Sequence, residues 1–402
     1  MKAHPFRMFG AAIGTVLLIV GAILLFDRVR FLPKARPVIF SSKDMLNAIW
    51  SRYKANYLEA GTDRTLDKQR GNITTSEGES YTMLRAVWMD DHATFDKSWS
   101  WTEDNLKQSN THLFSWLFGQ RPDGSYGILT AEKGQNTASD ADTDIALALA
   151  FAYARWQDPK YLQASKSVIS DIWQNEVVTI NAKPYLAADN VEKNFTAGVL
   201  VNPSYFAPYA YRVFKQIDPQ HDWLGLIDTS YAVLLASMTD KLGTTTSALL
   251  PPDWIQLGRT TAVIEPPPAG LDTNYGFDAL RVPWRIALDW QWNKDPRAAK
   301  VLASLSFLSK EWRSEHLIYD TYAHDGTPAD AHEVPAMYAT AAVALAITDP
   351  QSAQSIYLDK LEGLYDPDTD RWRTTLGYYD DNWAWFGIGL YNSFLPNLWI
   401  NM

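Results

Sequence analysis

The chain of 402 residues has no cysteine. That absence excludes disulfides, thiolate nucleophiles and cysteine-ligated metals, and it leaves the compartment open. A basic excess is also missing. There are 36 Lys and Arg against 46 Asp and Glu, a net charge of −10. Binding to nucleic acid needs a basic face, so no nucleic-acid partner is expected. Histidine is scarce, with seven in all. No internal repeat and no low-complexity segment stands out.

What is present is apolar and aromatic. Hydrophobic residues make up 47 % of the chain, enough for a sizeable core, and there are 17 Trp and 20 Tyr. Flat rings of this kind fill cores, and they also pack against sugar faces. One uncharged run stands apart, "FGAAIGTVLLIVGAILLF", Phe9 to Phe26. It is long enough to span a bilayer and longer than a typical signal-peptide core. It is expected to be a transmembrane signal anchor, with secretion as the outcome if it is cleaved. Lys2 and Arg7 precede it, whereas Arg28, Arg30, Lys34 and Arg36 follow it. A strict positive-inside count would place the large domain in the cytoplasm.

From residue 41 onward the pattern predicts one helical domain, 41–402, after an anchor and linker over 1–40. About twelve helices are expected: 43–58, 79–90, 93–107, 142–156, 159–175, 204–217, 221–240, 277–292, 297–312, 334–348, 351–365 and 380–394. Met45, Ile49, Trp50, Tyr53 and Tyr57 form one stripe; Phe95, Trp99, Thr102 and Leu106 form another. "DIALALAFAYARW" is apolar almost all round, as in a helix buried on every side. "YLQASKSVISDIW", next along, is amphipathic. A buried helix followed by a half-exposed one implies two concentric layers. The long connections "RPDGSYGILTAEKGQN" and "GRTTAVIEPPPAGLDTNYG" are expected to be functional or mobile, and "EPPPAG" to be stiff and non-helical.

Three acids are read at helix starts: Glu77 in "TSEG", Asp140 in "TASDADTD" and Asp278 in "NYGFDALRVPWR". Ser76 and Glu79 have capping-box spacing. Taken singly, such acids are ordinary caps. If the starts of the inner helices converge on one end of a barrel, the three acids face one cleft, which suits general acid and base work on a sugar polymer.

These blocks carry a resemblance. "SEGESYTMLRAVWMDDHATFDKSWSWTEDNL", "ASDADTDIALALAFAYARW", "NPSYFAP" and "YGFDALRVPWRIALDW" resemble glycoside hydrolase family 8, in order, from about residue 43 to the C-terminus. That family includes cellulases, xylanases, chitosanases and the endoglucanases that accompany bacterial cellulose synthesis. The resemblance implies an all-α fold, an (α/α)6 barrel of six inner and six outer helices. It implies hydrolysis of β-1,4 bonds with inversion and no metal or organic cofactor. Glu77 is then the general acid, Asp278 the general base, and Asp140 the residue that binds the sugar at the cleavage point and helps place the water. Arg281, one helical turn after Asp278, can reach back to orient it or form an ordinary ion pair with it. Tyr205 and Tyr379 resemble cleft tyrosines, and Trp116 a stacking residue. The chain departs from the usual family form at Thr82, where glycine is common, a position that bears on helix packing or the cleft wall.

An acid of this kind must hold a proton. A helix N-terminus opposes that by about 0.3–1 kcal/mol, while neighbouring carboxylates and a dry cleft favour it by up to several pKa units. An inverting pair also needs about 6.5–9.5 Å between carboxyl groups. With the anchor, these expectations describe an enzyme at the bacterial inner membrane, its catalytic domain periplasmic, beside a polysaccharide synthase and export complex. The rival expectation is a non-catalytic glycan-binding component of such a complex. A lyase on the same fold would need a Tyr/His or Lys set, which so few histidines make a poor fit.

Overall fold

The apolar stripes read from the sequence become helices that pair as one fully buried and one half-buried partner. The computed structural model describes residues 41–400 and 402. The expected anchor Phe9–Phe26 and the linker lie outside the described residues. Among the described residues no helix is long and apolar enough to cross a membrane.

In chain order the helices are α1 (Ser42–Tyr57), α2 (Ser76–Trp88), α3 (His92–Asn105), α4 (Ser139–Trp156), α5 (Pro159–Asn175), α6 (Pro208–Ile217), α7 (Trp223–Thr239), α8 (Arg281–Asn293), α9 (Pro296–Ser304), α10 (Ser306–Glu315), α11 (Pro335–Thr348), α12 (Pro350–Ile356) and α13 (Tyr378–Tyr391). Five of them, α2, α4, α8, α11 and α13, are buried on nearly all faces, and α6 is buried except along the face of Arg212, Lys215 and Gln216. They form the inner ring. Each packs against a partner with one buried stripe, and these partners form the outer layer. In α4 every residue from Ser139 to Ala152 is buried, whereas α5 buries only Tyr161, Ser165, Val168, Ile169 and Ile172. This double ring is consistent with an (α/α)6 barrel.

Two outer helices depart from the expected spans. The predicted 297–312 helix is interrupted at Leu305, so α9 and α10 are separate. The predicted 351–365 helix is regular only to Ile356, and then runs through one wide turn, Tyr357–Leu361. The long connections are also more ordered than expected. Tyr126–Ile128 in the first pairs with Leu117–Gln120 just before it, and Ile255–Gly258 pairs with Ile264–Glu265 at the second. "EPPPAG" starts on the last residue of that hairpin and is non-helical throughout, as its prolines require.

The start of α2 differs from the capping-box reading. The cap is Thr75, whose Oγ1 accepts from the Gly78 N–H at 3.0 Å. Glu79 instead turns into the protein, accepting from the Thr65 N–H at 2.6 Å and the Ser98 hydroxyl at 2.6 Å. Thr82 faces α1 and lies away from the cleft. Its hydroxyl joins Tyr53 at 3.1 Å and Thr65 at 2.8 Å.

Between α1, α2 and α13 lies a buried arginine. Arg85 is fully enclosed and hydrogen-bonds Asp381 at 3.1 Å and Asn382 at 2.9 Å. Its guanidinium lies over Tyr53 at 4.1 Å, Trp385 at 5.0 Å and Trp50 at 5.1 Å. Those ring faces attract the charge where hydrogen-bond acceptors run out. Breaking one partner of a buried pair leaves the other charge unmatched, at about 3–5 kcal/mol. Arg85→Met should lose about that much stability in urea unfolding, and Arg85→Met with Asp381→Asn should recover part of it. A single variant as stable as the parent contradicts this role.

Candidate active site

The N-terminal ends of all six inner helices open onto one cleft of about 950 Å³. Glu77 stands in the first turn of α2 and Asp140 in the first turn of α4. Tyr205 precedes α6, Asp278 precedes α8, Val334 precedes α11, and Tyr378 begins α13; all of these line the cleft. Asp278 corrects the expected 277–292 helix. It sits in the turn before Arg281, where α8 starts. The helix dipoles place positive ends around a group of carboxylates.

Arg281 joins the three acids. It is 1 % exposed and lies beneath the cleft floor. Its Nη1 donates to Glu77 Oε2 at 2.6 Å and to Asp140 Oδ2 at 2.8 Å. Its Nη2 donates to Asp278 Oδ1. The expected contact with Asp278 is therefore present, together with two that the sequence reading did not contain. The guanidinium bridges Glu77 and Asp278 through its two terminal nitrogens. Glu77 thus has a cation at 2.6 Å as well as carboxylate neighbours.

A second rung lies below. Arg285 Nη1 and Nη2 donate to Asp144 Oδ1 and Oδ2 at 3.0 and 2.7 Å, and Tyr209 joins Arg285 at 2.7 Å. Arg281 and Arg285 are one turn apart on α8; Asp140 and Asp144 are one turn apart on α4. The two helices are thus tied by two parallel charged contacts inside the ring.

Burial pushes Asp140 up to about 7, with Arg281 pulling it down and the charge of Glu77 raising it further. Among the described residues its Oδ1 has no hydrogen-bond partner. Asp142, on the same turn, accepts from the Phe114 N–H at 3.0 Å, and burial pushes it up to about 8.

The other expected residues also reach the cleft. The Tyr205 ring lies 5.2 Å from the Arg281 guanidinium. The Trp116 indole N–H donates to the Lys133 carbonyl at 3.0 Å, which fixes its ring in the cleft wall. Tyr379 donates to the Phe277 carbonyl. Its neighbour Tyr378 was missed, although its hydroxyl donates to Glu77 Oε1 at 3.0 Å. Tyr378 and Tyr379 are adjacent in the sequence, and only the direction of α13 separates them. Trp254 was also missed; it donates to Asp278 Oδ2 at 3.0 Å from a segment with no helical signal.

The chain is similar to known proteins in sequence and in fold. The family model described as "Glycosyl hydrolases family 8" matches residues 26–376. An endoglucanase of Cellulomonas uda is 32 % identical over 254 residues, 62 % of this chain and 64 % of that protein. The chain thus spans just under two thirds of the length of the curated relatives it matches. Among solved structures, an endo-1,4-D-glucanase from Vibrio fischeri superposes with a TM-score of 0.72 at 24 % identity, covering 86 % of this chain and 94 % of that one. A family 8 endoglucanase from Klebsiella pneumoniae gives 0.69 at 25 % identity, covering 87 % and 99 %.

The buried acids have a consequence for stability. Burial pushes Glu79 and Asp140 up to about 7 and Asp142 and Asp253 up to about 8, above ordinary carboxyl values of 4.5 and 3.8. Between those limits the native state binds more protons than the unfolded state. Stability from these groups is therefore present in acid and lost as pH rises through about 7–8. The melting temperature should fall from pH 5 to pH 8, and Glu79→Gln should flatten part of the slope. A melting temperature that rises over this interval contradicts the assignment.

Proposed function

The chain belongs to family 8 of the glycosyl hydrolases, and from that premise we propose that it is an endo-acting, inverting glycoside hydrolase. Its substrate is cellulose or a related β-1,4-linked exopolysaccharide. The observation that carries this reading is the shared guanidinium of Arg281, which gathers Glu77, Asp140 and Asp278 at the floor of one cleft. The endoglucanase relatives supply the substrate class.

In this reading Glu77 donates a proton to the leaving glycosidic oxygen. Tyr378 and Arg281 hold its two carboxylate oxygens and so fix its plane. Asp278 takes a proton from water, which attacks the anomeric carbon from the opposite sugar face. Arg281 donates to both carboxylates, to Glu77 through Nη1 and to Asp278 through Nη2, and so sets their relative places. Asp140 presents its unpartnered Oδ1 to a sugar hydroxyl or to that water. Trp116 offers a ring face to a sugar, and Tyr205 and Tyr379 close the walls.

Carboxymethylcellulose, mixed-linkage β-glucan, xylan and chitosan, followed by reducing ends, test the substrate. Proton NMR of a fresh digest should show the α-anomer first; an initial β-anomer contradicts inversion. Glu77→Gln should nearly stop cleavage of unactivated glycan and lose less on an aryl glycoside with a good leaving group. Asp278→Asn should be slow on both. Each loss should be about 10²–10⁴-fold. A folded parent that binds glycans and cleaves none supports the glycan-binding alternative.

The proposed placement is the inner membrane, through Phe9–Phe26, with the catalytic domain outside the cytoplasm beside a polysaccharide synthase and exporter. The apolar run and the exported substrate class support it. Alkaline phosphatase fused after the barrel should be active in a membrane pellet. An inactive fusion, with a cytoplasmic reporter active at the same junction, contradicts it.

A further inference from the structure

Asp278 stands in a turn, outside any helix or strand, with its side chain about one-third exposed. Regular backbone hydrogen bonding therefore does not fix its carboxylate. Arg281 reaches only one of its oxygens. The other, Oδ2, accepts from the indole N–H of Trp254 at 3.0 Å. Trp254 lies just before the strand Ile255–Gly258, and its ring meets Tyr205 edge-on, 5.9 Å between centroids.

The residue before it, Asp253, grips the same turn from behind. Asp253 Oδ1 accepts from the Ala279 N–H at 2.6 Å and the Gly276 N–H at 3.3 Å, one on each side of Asp278. A Cβ at Gly276 would lie 2.8 Å from Asp253 Oδ2, so a glycine permits this approach. The two segments also pair through their backbones: the Asp253 N–H donates to Asn274 O at 2.7 Å, and the Trp254 N–H to Asp272 O at 3.1 Å.

We propose that Asp253 and Trp254 act together as a clamp that positions Asp278, with Asp253 fixing the turn and Trp254 fixing the plane of the carboxylate. This rests on the reading of Asp278 as the general base. Asp253 is itself a carboxylate near the site, yet it does not line the cleft. Burial and the charge of Asp278 push it up to about 8. A neutral carboxyl there accepts backbone hydrogen bonds without placing a second negative charge behind Asp278. With Arg281 on one oxygen and Trp254 on the other, the carboxylate cannot rotate without losing a donor. Displacement of a reacting group by about 1 Å is enough to cost about 10²-fold in rate.

The test uses the full chain, with carboxymethylcellulose and an aryl β-cellobioside as substrates. Trp254→Phe keeps a ring in the cleft wall and removes the N–H. It should lower kcat about 10- to 100-fold on both substrates alike, with KM changed by less than about twofold. A good leaving group should not relieve the loss, because the defect lies in water attack. Asp253→Ala should lose kcat similarly. Asp253→Asn keeps an acceptor for the two N–H groups and should recover most of what Asp253→Ala loses. Thermal melting shows that each variant is folded. Trp254→Phe with the parent kcat overturns the clamp, as does Asp253→Asn falling as far as Asp278→Asn, which would make Asp253 a base in its own right. If the parent is active and Asp278→Asn is too, the reading of the base fails instead, whatever Trp254→Phe does.

Discussion

One buried guanidinium organises the cleft. Arg281 is almost without solvent contact, and a charge so placed costs several kcal/mol in lost hydration unless its donors are met. Glu77, Asp140 and Asp278 meet them, each from a different part of the chain. The converse holds as well. Three carboxylates gathered in one place repel each other, and the arginine with the surrounding helix N-termini offsets that repulsion. Fold and site are therefore coupled: the contacts that compensate Arg281 also set the places of the three acids.

The second rung, Arg285 with Asp144, shows how this arrangement is carried into the core. The pair is bidentate and has Tyr209 beside it, so its charges are well matched. It fixes the rotation of α8 against α4 one turn below the cleft. A rotation of either helix that broke the lower pair would misplace Arg281 or Asp140 above it. Side chains that never touch a substrate thereby restrict those that line the cleft.

Much of this was legible in the sequence, and the reasons differ by residue. The helices were readable because their apolar residues repeat with a local period, as in Met45, Ile49, Trp50 and Tyr53. Glu77 and Asp140 were readable because each begins a helix within a distinctive block. Asp278 was identified but put inside a helix; the turn that holds it depends on Asp253, which the chain brings back from 25 positions earlier. The reach of Arg281 to Glu77 spans 204 positions and has no local signature. Glu79 was misread as a cap because S-x-x-E spacing is local, whereas its partners, Thr65 and Ser98, come from other segments. The break at Leu305 left no glycine or proline to mark it.

Thr82 and Asp140 show two different fates for a buried polar atom. The extra hydroxyl at Thr82 is satisfied on the spot by Tyr53 and Thr65, so the departure from glycine is absorbed where α1 meets α2. Asp140 Oδ1 and the Ser76 hydroxyl are buried without hydrogen-bond partners among the described residues, and both residues line the cleft. An unmet buried polar group costs about 1–3 kcal/mol. Where such a group lies in the interior it only weakens the fold. At the wall of a cleft the same kind of group lies beside the space that a ligand would enter, so its position bears on binding as well as on the fold.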